Sequence, residues 1–150
     1  MHFNDLQDVI KFAIEQEEAA FNLYQRAAEQ STSISARKMF EEMAREEAGH
    51  KKMLEGFTGE TIEKYQFKHV PNLKIGDYLV DVPCRPDMTY QEVLIFSMKA
   101  EEKACKLYNE AAAQASDSEM QKLLLIMANE EQKHKFHLES IYDDKVLAED

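Results

Sequence analysis

The sequence predicts an all-α protein, a four-helix bundle made of two copies of one helical hairpin joined by a long crossover. Three observations carry this. Apolar residues keep helical spacing in four stretches, a Glu and His pattern occurs twice at a fixed offset, and all three prolines gather between the two copies. The composition agrees: Ala, Glu, Lys, Gln, Leu and Met are plentiful, while Gly (4) and Pro (3) are scarce. At 150 residues the chain is expected to form a single domain with a proper core.

The first helix, expected over 4–30, lines up Leu6, Ile10, Ala13, Glu17, Ala20, Tyr24 and Ala27. The second, over 34–57, lines up Ala36, Phe40, Met43, Glu47, His50, Leu54 and Phe57. The third, over 89–115, carries Leu94, Ser97, Glu101, Ala104, Tyr108 and Ala111, and the fourth, over 117–145, carries Met120, Leu124, Met127, Glu131, His134, Leu138 and Ile141. Steps of three or four residues make each series the core seam of a bundle helix. Ser31-Thr32-Ser33 and Ser116-Asp117-Ser118 mark the hairpin turns. Thr89-x-x-Glu92 and Ser116-x-x-Glu119 read as capping boxes that start the third and fourth helices.

Between the hairpins, 58–88 contains Pro71, Pro83 and Pro86 and no sustained apolar stripe. About 30 residues easily cover the length of a helix of ~20 residues, so this segment is expected to cross along the bundle, with room for short helical pieces around 61–65 or 76–82. The tail after Tyr142 is charged and is expected to fray.

The repeat is ungapped. Glu17 precedes Glu47-Ala48-Gly49-His50 by 30 residues, Glu101 precedes Glu131-Gln132-Lys133-His134 by the same 30, and the second set lies 84 residues after the first. The same offset matches Phe12 with Phe96, Glu18 with Glu102, Tyr24 with Tyr108, Glu46 with Glu130, Lys51 with Lys135 and Leu54 with Leu138. Glu17 and Glu47 each lie 15 residues from Thr32, so an antiparallel hairpin brings them level, and Glu101 and Glu131 are related in the same way around Ser116.

Glu17, Glu47, His50, Glu101, Glu131 and His134 all occupy seam positions, where ionisable groups are unfavourable unless they are paired or bind metal. Glu at i and His at i+3 share a helix face, so one ion can take both. A single E-x-x-H is weak evidence. Two of them on core seams, each with an upstream Glu at the same distance, point to a dinuclear metal protein. Mixed carboxylate and imidazole donors suit iron or manganese, with zinc a further occupant.

The net charge of −11 argues against partners built on phosphate backbones or acidic membrane surfaces. No apolar run is long enough to span a bilayer, and no secretory leader is recognisable, so a cytoplasmic setting is expected. Cys84 and Cys105 form no C-x-x-C pair, which excludes a four-cysteine zinc or iron centre within this chain. Cys105 reads as a packed thiol and Cys84 as incidental, and His2, His69 and His137 read as surface residues.

The pattern Glu, Glu-x-x-His, Glu, Glu-x-x-His on four helices resembles that of the ferritin-like carboxylate bundles. Within them, Glu17-Glu18-Ala-Ala-Phe-Asn-Leu-Tyr24 and Ala-Arg-Glu46-Glu47-Ala-Gly-His50 resemble the rubrerythrin group, especially short members without a rubredoxin domain. The resemblance covers nearly the whole chain. It implies two iron ions, with Glu47 and His50 on one side, Glu131 and His134 on the other, and Glu17 and Glu101 as their partners. Glu15 and Glu18 lie close to Glu17, but Glu17 alone sits on the seam, seven residues before Tyr24 as Glu101 is before Tyr108. Tyr24 and Tyr108 read as donors to the ligand carboxylates or as ordinary core tyrosines. Glu46 and Glu130 read as groups that orient the imidazole of the opposite helix or as a solvated face. One position departs from the group: Ala104 stands where rubrerythrins carry an additional carboxylate, with Ala20 as its counterpart.

The resemblance further implies an oxidoreductase that reduces hydrogen peroxide or dioxygen. Electrons would come from an external redox protein, and the chain would act as a homodimer. Two other readings use the same ligands: a ferroxidase that sequesters iron, and a metal-binding bundle without turnover.

Overall fold

The computed structural model describes residues 2–146. Its long helices start where a short polar side chain can take up free backbone N–H groups. Helix α1 (Leu6–Gln30) begins at Asp5, whose carboxylate accepts from Asp8 N, and α2 (Ile34–Glu55) begins at Ser33, which accepts from Ala36 N. Helix α3 (Gly59–Lys64) carries a reciprocal Thr58–Thr61 box, and α4 (Tyr90–Gln114) carries the predicted Thr89–Glu92 box. Helix α5 (Ser118–Lys145) corrects one expectation. Its cap is Asp117, which accepts from Glu119 N and Met120 N, and not Ser116. The chain is still extended at Asp117 (φ −114°, ψ 137°), and an ionised carboxylate at a helix start is a stronger acceptor than a hydroxyl.

The helix limits differ from the expected ones by one or two residues. Helix α2 stops at Glu55 because the chain turns at Gly56 (φ −95°, ψ 0°) toward the cap of α3. Helix α5 continues past Tyr142 to Lys145, and the remainder of the expected frayed tail, 147–150, lies outside the described residues. The crossover holds α3 and a single 3₁₀ turn, Gly76–Tyr78, close to the two places where short helical pieces were expected.

Helices α1 and α2 pack together as one hairpin, α4 and α5 as the other, and the hairpins meet through α1 with α5 and through α2 with α4. Two apolar clusters fill the bundle. One joins the first half of α1 to the end of α4 and the first half of α5 through Val9, Ala13, Tyr108, Leu123, Leu124 and Met127. The other joins the end of α1 to the starts of α2 and α4 and the end of α5 through Tyr24, Phe40, Met43, Leu94, Met98 and Leu138. Helices α1 and α5 therefore run one way and α2 and α4 the other, which forces the link from α2 to α4 to travel the length of the bundle. Each fully buried Leu or Phe contributes roughly 1.5–3 kcal/mol, so both clusters are needed to hold four amphipathic helices together.

For most of its length the crossover is tied to the second hairpin. Asn129 of α5 donates to Lys68 O at 2.8 Å, Lys122 Nζ donates to Glu63 O at 2.9 Å, and Gly76 N donates to Glu139 Oε2 at 3.1 Å. Beneath it the Lys135–Glu139 ion pair (3.1 Å) is buried, with Lys135 also donating to Asn72 at 2.7 Å. At its far end the crossover meets the α1–α2 turn, where Thr32 N donates to Pro86 O at 3.0 Å. Among the described residues no helix is long and apolar enough to cross a membrane.

Candidate metal centre

Between the two apolar clusters lies a polar layer. The seam geometry of each long helix carries one or two ionisable residues to the same height: Glu17 on α1, Glu47 and His50 on α2, Glu101 on α4, Glu131 and His134 on α5. The four Glu side chains are no more than 3 % exposed, and the His50 and His134 side chains are 8 % and 14 % exposed. All six sequence-predicted ligands are brought together within one chain.

Both imidazoles turn Nδ1 inward. His50 Nδ1 stands 3.3 Å from Glu17 Oε1, 3.3 Å from Glu131 Oε1 and 3.8 Å from Glu47 Oε2. His134 Nδ1 stands 3.6 Å from Glu47 Oε1, 3.8 Å from Glu101 Oε2 and 3.8 Å from Glu131 Oε2. Glu47 and Glu131 thus direct one oxygen toward each imidazole, whereas Glu17 faces only His50 and Glu101 only His134. The two rings are stacked, with centroids 4.5 Å apart and planes 10° from parallel.

These atoms lack what buried polar atoms require. Glu17 Oε1, both oxygens of Glu47 and Glu131, Glu101 Oε2, and Nδ1 of both histidines have no hydrogen-bond partner among the described residues. Leaving so many donors and acceptors unpaired is costly, and a bound cation is the group that satisfies them all. Single donor atoms of Glu47, His50, Glu131 and His134 lie within 4.8 Å of one another. Two donors about 2.1 Å from one ion stand roughly 3.0–3.4 Å apart, so the nitrogen–oxygen spacings of 3.3 to 3.8 Å need to close by less than about an ångström. The residues fit a metal-binding site of oxygen and nitrogen donors.

Proton affinities report the same crowding. Burial, reinforced by neighbouring Glu47, lifts Glu17 to about 7, and burial with Glu101 and Glu47 lifts Glu131 well above the carboxylate range. Burial also opposes ionisation of Glu47, but the two imidazoles outweigh it and hold Glu47 low. For the histidines, burial pulls down, while Glu17 and Glu47 raise His50 to about 9 and Glu101 and Glu47 raise His134 to about 11. Protons thus do part of the work of a cation in the metal-free site.

A second ring of groups surrounds the cluster. Glu46 Oε2 stands 3.3 Å from His134 Nε2, and Glu130 Oε1 stands 3.9 Å from His50 Nε2, each reaching the imidazole of the opposite helix. The Tyr24 hydroxyl donates to Glu101 Oε1 at 3.2 Å. Tyr108 does not repeat this contact; its hydroxyl donates to the backbone carbonyl of Ala13 at 3.3 Å. Of the two readings open for these tyrosines, Tyr24 takes the carboxylate donor and Tyr108 the ordinary core tyrosine.

Two residues escaped sequence reasoning. Tyr65, just past α3, donates to Glu130, and Lys133 Nζ holds the same oxygen at 2.5 Å. Lys133 was legible as an i+3 partner of Glu130. Tyr65 sits in a segment without periodicity, and nothing in the sequence ties it to α5.

Between α1 and α4 a cavity of about 310 Å³ reaches the carboxylates of Glu17, Glu47, Glu101 and Glu131. Ala20 and Ala104 both line it. The position where the resemblance places a further carboxylate is thus a small apolar wall beside the cluster. The other candidates stay apart. Glu18 pairs with Lys51 at 3.0 Å, and Glu15, His2, His69 and His137 are exposed. Cys84 is exposed, whereas Cys105 is buried, and burial pushes its thiol up to about 12.

No curated protein and no solved structure matches the chain. The family described as Rubrerythrin matches residues 8–80 and 92–150. With its two hairpins and its buried Glu and His cluster already in place, the chain belongs to the rubrerythrin family.

Proposed function

We propose that the protein is a non-haem di-iron oxidoreductase that reduces hydrogen peroxide or dioxygen with electrons from an external redox protein. The observation that carries this reading is the pair Glu47 and Glu131, each of which aims separate oxygens at the two imidazoles. Glu47 and Glu131 would therefore each help to hold both ions. Glu17 and His50 would complete one position, Glu101 and His134 the other. Six protein donors with four negative charges offset two divalent cations and leave coordination sites open.

Iron bound there would supply redox chemistry: two ferrous ions would provide the two electrons that peroxide reduction needs, or half of those that take dioxygen to water. The chain's own residues define the setting. Glu46 and Glu130 place a carboxylate near each outward Nε2, at 3.3 and 3.9 Å, which favours the proton there and leaves Nδ1 as the metal-binding atom. Tyr24 keeps Glu101 turned toward His134 and stays protonated, because burial and the nearby Glu101 raise its pKa well above the usual value. The cavity beside Ala20 and Ala104 supports access for a small oxidant to the inner carboxylates, while the apolar clusters above and below exclude bulk water. The chain carries no cysteine-rich iron site, so re-reduction is assigned to a separate protein. A homodimer is part of the proposal, and exposed Tyr78 and Val80 on the crossover provide apolar surface for a second chain.

Metal content and anaerobic stopped-flow absorbance test the reading. Two iron ions per chain, oxidised faster by peroxide than by air, are the expected result. Oxidation mainly by air, with a native mass of many subunits, would replace it with iron sequestration. Reduced protein that neither oxidant touches would leave a metal-binding bundle without turnover.

A further inference from the structure

The duplication provides an internal control for the centre, because positions 84 residues apart carry the same ligands. Their surroundings are unequal. On one side, His134 Nε2 faces Glu46, which has no other ion-pair partner among the described residues. On the other, His50 Nε2 faces Glu130, whose second oxygen is held by the Lys133 ammonium at 2.5 Å and by the Tyr65 hydroxyl. Lys133 stands where the first copy has Gly49. Tyr65 comes from the crossover, which has no counterpart in the other half. Lys133 and Tyr65 also brace each other, with Nζ 3.4 Å from the hydroxyl and 5.6 Å from the ring centre.

We propose that Lys133 and Tyr65 are positioning residues that make the two metal positions unequal, so that the ion held by His134 and Glu101 is bound more tightly than the ion held by His50 and Glu17. This rests on the two-ion reading of the six ligands. A carboxylate on Nε2–H strengthens imidazole as a donor at Nδ1. Glu46 is free to do this for His134. Glu130 has its charge drawn off by an ammonium and a phenol and stands farther from its imidazole. The ammonium also repels a cation on its own side. Glu47 and Glu131 face both imidazoles and do not discriminate. Tyr24 is a neutral donor on the Glu101 oxygen turned away from His134 and keeps the other oxygen turned inward, so it supports the tighter position.

Anaerobic titration of the metal-free protein with Co²⁺, read by its visible spectrum and by chelator competition, tests this. The wild type is expected to bind two ions in separate steps. Lys133→Ala should tighten the weaker step about tenfold and leave the tighter one in place, Tyr65→Phe should shift it in the same direction, and Lys133→Arg should keep wild-type behaviour. His50→Ala should remove the weaker step and His134→Ala the tighter. Circular dichroism verifies that each variant is folded. Two ions bound with steps that Lys133→Ala does not move, or loss of the tighter step in His50→Ala, would overturn the inequality alone. Failure of the wild type to bind Co²⁺ would overturn the two-ion reading itself.

Discussion

Single hydroxyls and protons already separate the roles in the centre. Tyr24 and Tyr108 are matched by the repeat, yet only Tyr24 touches a ligand carboxylate. Tyr24→Phe is therefore expected to weaken metal binding roughly tenfold, whereas Tyr108→Phe should change it less than about twofold and cost only about 1 kcal/mol of stability. Chelator competition and urea unfolding read the two quantities, and equal losses in both variants would contradict the assignment. Protons give a second prediction. In the metal-free protein Glu17 is raised to about 7 from 4.5 and His50 to about 9 from 6.5. A raised folded pKa means that the folded state binds the proton more tightly than the unfolded state does. The Glu17 contribution is thus full below about pH 4.5 and is lost through 7, and the His50 contribution is full below 6.5 and is lost through 9. Melting temperature in excess chelator should fall as pH rises from 5 to 9. With metal bound the trend should reverse, because the ions take the place of these protons. A flat metal-free profile over that range would show that the cluster does not hold the protons assigned to it.

Helix ends and helix faces carry their own tests. Thr89→Ala and Asp117→Ala should each destabilise by about 1 kcal/mol, because each removes the side chain that caps a long helix, and Ser116→Ala should be nearly silent. Chemical denaturation distinguishes these outcomes, and a large effect at Ser116 would restore the capping box that the sequence predicted. The contrast between Lys51 and Lys135 is sharper. Lys51 pairs with Glu18 on an open face, its side chain 39 % exposed, while Lys135 is 2 % exposed in a pair with fully buried Glu139. Lys135→Ala leaves Glu139 buried without its cation and should cost about 3–5 kcal/mol, whereas Lys51→Ala should cost at most about 1 kcal/mol. Equal costs would mean that the crossover does not seal the second hairpin.

At the scale of the whole molecule, the bundle is two similar hairpins made different by what joins them. The four long helices and the six inner side chains were legible because they depend on local periodicity and on chain length. A period of three or four residues defines a buried face, and equal distances from a turn define equal height. Polar residues on that face, repeated at one offset, have few physical solutions besides metal. Metal removal should therefore loosen both hairpins together: excess chelator is expected to lower the unfolding free energy by about 4 kcal/mol for each bound ion, from its value at metal concentrations a thousand times the dissociation constant. An unchanged melting temperature on chelation would show that the layer is stable without a cation. The rest depended on contacts between residues far apart in the chain. Nothing local tells which hairpin the crossover covers, that Tyr65 reaches Glu130, or that Tyr108 turns to a backbone carbonyl. The sequence by itself determined the helices, their pairing and the six Glu and His side chains that meet at one height, because each follows from spacing along one chain direction. Only the tertiary structure decided which oxygens face which imidazole and how the two copies differ, because those depend on the path of a segment that has no periodicity of its own.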